Sequence, residues 1–152
     1  MYSKDESIQI KKEFWTTFGV FSQKKRMASG FDKKWISHNT GINCLNLKFD
    51  FEKKLALVGI EINTTNTKEE ENYYNRLLSL KTILNSGFNK IPIWEPDFEL
   101  SSGKFVVKIY HSLENVNIHD KSCWGNVFNF FYDYMLLYEF FYIECEDVIK
   151  DN

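Results

Sequence analysis

A chain of 152 residues, 43% hydrophobic and 26% charged, has the length and balance of one globular domain that can hold its own core. The net charge of −2 excludes a strong global pull toward nucleic acid or membrane, although residues 1–54 carry eleven Lys or Arg against six Asp or Glu and leave the remainder acidic. Three cysteines without close spacing, Cys44, Cys123 and Cys145, argue against a disulfide framework or a Cys-rich zinc site and for a reducing cytoplasm, while the absence of an apolar signal core and of any apolar run near 18 residues argues against a leader peptide or a membrane span.

Residues 4–26 are predicted to form a helix. Ser3 and Glu6 make a capping box, Asp5 and Glu6 suit the positive end of the helix dipole, and Ile10, Phe14, Phe18 and Phe21 recur at helical spacing. A short strand is expected over 34–38, followed by a turn at Asn39, Thr40 and Gly41. Residues 42–51 alternate: Leu45, Leu47, Phe49 and Phe51 share one face, and Asn46, Lys48 and Asp50 the other. Residues 55–64 are almost wholly apolar, the mark of a central strand covered on both faces. Thr67 and Glu70 form a second capping box for a helix reaching Gly87. A strand over 90–95 is expected to stop at Pro96, and a turn at 101–103 leads into a strand over 104–111. A long helix over 122–149 closes the chain. The order is an α/β (mixed α+β) fold: a helix, a three-stranded antiparallel meander, a helix, further strands and a C-terminal helix, in one domain over 1–152.

The final helix is apolar over much of its circumference. Trp124, Phe128, Phe131 and Tyr138 lie on one side and Tyr134 on another, so burial on more than one side is expected. One reading is core; another is a homodimer through this aromatic helix, since obligate homodimer interfaces are apolar. Its acidic tail, Glu144, Glu146 and Asp147, stands at the unfavourable end of the dipole and is expected to fray.

The run KWISHNTGINCLNLKFDFEKKLALVGIEI, preceded by FWTTFGVF, resembles the uncharacterised bacterial family catalogued as domain of unknown function 4268. IPIWE, KIYHSLENVNIHDKSCW and the FFYDYM helix fit the same order. A fainter resemblance, of element order alone, is to the restriction-endonuclease-like PD-(D/E)XK core. That resemblance implies a metal-holding Asp and Glu, with a Lys two residues after the Glu, and Mg2+ as the only cofactor; without such a site no cofactor is expected.

Tested on the residues, this chemistry falls short. Glu61 fits the Glu, but Asn63 stands where the Lys should be. A hairpin turning at 52–54 sets Glu61 opposite Cys44 or Asn46, so Asn46 takes the place of the ligand Asp. Asp50 would then lie roughly 13 Å away at about 3.4 Å per residue, too far to share a metal. Lys48 shares the face of Glu61 within diagonal reach and is a candidate partner or a migrated catalytic Lys, with Glu13 as another substitute acid.

Lys24, Lys25, Arg26, Lys33 and Lys34 form a basic cluster at the end of the first helix. They are candidates for phosphate contacts, set against the plain alternative of a solvated helix end. With seventeen Lys and two Arg in the chain, bidentate readout of guanine is not suggested. His38, His111 and His119 have no metal-ligand spacing and read as surface or turn histidines. Three readings remain: a nucleic-acid-associated module with a degenerate nuclease-like fold, from a defence or repair system; a homodimeric interaction domain without catalysis; and an active metal-dependent nuclease with a rearranged site.

Overall fold

The structure, a computed structural model, describes residues 3–30, 35, 40–52 and 54–150. Helix α1 covers Lys4–Ala28, strand β1 Leu45–Glu52, β2 Leu55–Ile62, α2 Thr67–Ser79 and α3 Lys81–Ser86. Then come β3 Ile93–Glu99, β4 Phe105–Glu114, a 3-10 turn at Lys121–Cys123 and α4 Trp124–Lys150. The four strands make one antiparallel sheet in the order β1-β2-β4-β3. The first expected strand, over 34–38, and the basic residues Lys33 and Lys34 lie outside the described residues.

The core forms on one face of the sheet. Leu45, Leu47 and Phe51 of β1, Ala56, Val58, Ile60 and Ile62 of β2, and Val107 and Ile109 of β4 are buried in one cluster with residues of α1, α2 and α4. These are the alternate positions that the pleat points to one side. Phe14 of α1 is fully buried and stands 5.2 Å from both Trp124 and Phe128 and 5.0 Å from Phe51, ring centre to ring centre. Such packed pairs contribute about 0.5–1.5 kcal/mol each beyond area burial. Arg26 and Glu139 clasp α1 to α4 with a buried ion pair of 3.0 Å, and the guanidinium lies 4.1 Å over Trp35.

The Ser3 capping box is present in both directions. At α2 the cap falls one residue earlier than expected. The Asn66 side chain accepts from the Glu69 N–H, because Asn is a stronger N-cap than Thr and Thr67 is already helical. The α2–α3 break at Leu80 was not anticipated. Ser79 Oγ donates to the Arg76 carbonyl, a bond that competes with the helix ladder and bends it. Pro96 does not end β3: the strand runs through it with a register shift between Glu95 and Phe98, as an edge strand allows.

The acidic end of α4 is held rather than frayed. Ile149 is fully buried, its carbonyl accepts from Arg76, and Lys150 pairs with Glu146 at 3.2 Å. Arg76 thereby places a cation on an orphan carbonyl at the helix C-terminus. The Thr40 carbonyl accepts from Tyr142 and the Thr40 hydroxyl donates to the Leu45 carbonyl, which moors the turn before β1 to α4. Gly41 at φ 82° meets Lys150 there, where a Cβ would stand 2.9 Å from Nζ.

Candidate functional site on the second face of the sheet

The other set of alternate positions belongs to no helix contact in the core cluster, and it carries the charge. The β1–β2 register places Asn46, rather than Cys44, opposite Glu61. Glu61 in turn faces Lys108 on β4, and Lys108 faces Glu95 on β3. One row across the sheet therefore reads Asn46, Glu61, Lys108, Glu95. Opposite charges directly across strands stabilise a sheet, and like charges would not.

Lys108 is the centre of the cluster. Its Nζ lies 2.9 Å from Asp50 Oδ2 and 3.4 Å from Glu61 Oε2. Glu61 is 1% exposed and Lys108 3%. Lys48 approaches Glu61 Oε1 at 3.5 Å from the solvent side, and Asn63 Nδ2 donates to the same oxygen at 3.4 Å. Lys104 donates to Asn63 Oδ1. Phe98 lies 5.3 Å from the Lys108 ammonium and covers it. Tyr110 donates to Glu95 at 2.8 Å; burial, with that carboxylate beside it, pushes the phenol up to about 12.

Gly59 makes this geometry feasible. It lies between Leu57 and Glu61 and pairs with Tyr110, so the row that Lys108 crosses on its way to Asp50 holds no side chain from β2. A Cβ at 59 would fall 2.1 Å from the Ile109 carbonyl oxygen and 2.7 Å from Tyr110 Cα. An isolated glycine inside a strand marks this kind of close backbone approach.

Asp50 lies four residues along β1 from the position opposite Glu61, as the hairpin spacing sets it, and the two carboxylates are linked through the Lys108 ammonium, a long side chain from a third strand. The pairing of that strand with β2 is a tertiary event, and its signal in the sequence is a lone charge inside VVKIY. Arg26, expected at a basic surface, is instead buried against Glu139 and Trp35. Of its neighbours Lys24 is exposed, and Lys25, partly exposed, lies 4.6 Å over Tyr132 and 3.9 Å from Asp133. Glu13, proposed as a substitute acid, pairs with Lys121 at 2.7 Å on the helical side.

The aromatic face of α4 is consumed by the chain's own core. Trp124, Phe128, Phe131 and Tyr138 are buried, and half-buried Tyr134 stacks on His111. Four of these five residues thus belong to the chain's own core, and Tyr134 is partly covered by it. His111, read as a surface residue, is also internal. Among the described residues no three His, Cys, Asp or Glu side chains group as metal ligands. Burial raises the Cys44 thiol to about 11, with Glu69 adding to the effect, and burial also raises Cys145; neither supplies a thiolate near neutrality. No helix is long and apolar enough to cross a membrane among the described residues.

What fold and site define is an α+β domain with a buried carboxylate, Glu61, on the second face of its sheet, held between the lysines of that face. The profile of the family described as Domain of unknown function (DUF4268) matches residues 10–145. The chain belongs to that family. No curated protein and no solved structure matches it.

Proposed function

We propose that the chain is a non-catalytic, nucleic-acid-associated module with a degenerate nuclease-like site, serving a bacterial defence or repair system in the cytoplasm. The observation that carries the reading is the altered set around Glu61: Asn46 stands opposite it, Asn63 bonds to it, and the Lys108 ammonium, 2.9 Å from Asp50 and 3.4 Å from Glu61, supplies the positive charge there. Mg2+ demands near-octahedral oxygen ligation and keeps much of its water. A 3%-exposed lysine on a central strand, covered by Phe98, leaves little room for either. Asn63 bonds to Glu61 and Lys104 and lacks the charge to activate water. The phosphate-binding part of the reading rests on the exposed lysines: Lys24 and Lys25 at the end of α1, and Lys48, whose side chain is 44% exposed at the rim of the cluster.

The test is binding of labelled single- and double-stranded DNA and RNA across a salt series starting near 50 mM. Affinity is expected to fall as salt rises, and Lys24→Glu is expected to reduce the log–log slope by about 1 without changing sequence preference. Absence of binding at the lowest salt would overturn the reading. Mg2+-dependent cleavage that disappears in Glu61→Ala would replace it with the active-nuclease alternative.

A further inference from the structure

His111 is on β4 but faces away from the charged cluster, toward α4. Its Nε2 lies 2.6 Å from the Lys90 carbonyl oxygen. A carbonyl only accepts, so Nε2 carries the proton and donates it. Nδ1 is then the bare nitrogen and accepts from the Tyr138 hydroxyl at 2.8 Å. The ring stacks on Tyr134 at 4.2 Å and packs on Phe88 at 4.6 Å. One neutral imidazole thus ties together β4, the connector over 87–92 and α4.

Among the described residues the groups around the ring offer an added proton no carboxylate. From α4 the facing titratable groups are the Tyr134 and Tyr138 phenols, and burial holds Tyr138 well above its ordinary value, so it stays neutral. From the connector the facing charge is the Lys90 ammonium, which repels a second cation. From β2 the residue opposite is Val58. Protonation at Nδ1 would also require the Tyr138 hydroxyl to turn and accept, giving up the bond it now donates.

We infer that His111 is an acid-sensitive latch: proton uptake by its imidazole releases the 87–92 connector from α4 while the sheet stays folded. The connector is suited to opening alone. Asn89 and Lys90 are exposed, Ile91 is 64% exposed, and no sheet ladder includes them. Release would uncover Phe88 and Tyr134. The direction follows from linkage. Burial lowers the folded-state value of His111 below the ordinary 6.5, so the open form binds the proton more tightly. The latch is complete above about pH 6.5 and weakens as pH falls through that value toward the folded one.

Hydrogen exchange on the full chain, corrected for the intrinsic pH dependence of exchange, tests this. Between pH 6.5 and 5 the Gly87 and Phe88 amides, which donate to the Leu84 and Asn85 carbonyls, are expected to open up to tenfold more often per pH unit, the limit for one proton, while β2 amides keep their protection. His111→Asn, which cannot titrate, should abolish the slope. Should that variant not fold, the His111 ring signals of the wild type, followed by NMR, should titrate below 6.5 with the opening profile. A flat wild-type profile, β2 loosening in step with the connector, the same slope in the variant, or a ring titration that does not track opening would each overturn the latch.

Discussion

Replacing Lys108 by Met removes the ammonium while keeping most of the stem that packs under Phe98. Glu61, 2% exposed at its side chain, then keeps, among the described residues, Lys48 as its cation, 3.5 Å away and 44% exposed. Asp50, 29% exposed, can turn to water and contributes little to the loss. Removing one partner of a buried pair costs about 3–5 kcal/mol because the other charge is left uncompensated. The residual Lys48 contact puts this case at the lower end, about 3 kcal/mol. For a domain of this size that is a fall in Tm of roughly 6–12 °C. Urea denaturation should show a lower midpoint with an unchanged m value. Adding Glu61→Gln should cost less in the Lys108→Met background than in the wild type, with a coupling of at least about 1 kcal/mol. If Lys108→Met lies within about 0.5 kcal/mol of wild type, or the two changes add independently, Lys108 is not the cation that neutralises the site.

Gly59→Ala is expected to cost on the order of 4 kcal/mol or to prevent folding, because the new methyl would enter the β4 backbone at Ile109 and Tyr110; a soluble variant with wild-type stability would contradict the close approach. Glu139→Gln should destabilise by about 3 kcal/mol in urea melts by removing the charge that meets the buried Arg26 guanidinium at 3.0 Å, whereas a change at exposed Lys24 should leave the melt within about 0.5 kcal/mol. Phe131→Ala should lower stability by about 3–5 kcal/mol, since Phe131 is fully buried among the aromatic rings of α1, β1 and α4; a change in oligomeric state with little loss of stability would return that residue to an interface.

Local chemistry was legible in the sequence and tertiary chemistry was not. Ser3 and Glu6 announced their capping box, and the alternation through Leu45, Leu47 and Phe51 gave the buried face of β1 and, with it, the Asn46–Glu61 pairing. These features depend on neighbours a few residues apart or on a hairpin. Lys108 could not be placed, because β4 joins β2 only after α2, α3 and β3 have intervened. The same holds for His111 and Arg26, which look like ordinary polar residues until α4 arrives beside them. The all-round apolar character of α4 was plain, but two partners can satisfy it. The chain's own sheet, α1 and the connector cover Trp124, Phe128, Phe131 and Tyr138, while Phe140, Ile143 and Val148 of the same helix stay exposed.

Labelled single- and double-stranded DNA and RNA, incubated with the protein near 50 mM salt in Mg2+ and followed together for retardation and for strand length, test the central claim most directly. The account predicts at least one retarded substrate, salt-sensitive, with every strand intact. It is contradicted if nothing is retarded, or if strands are cut by the wild type and spared by Glu61→Ala.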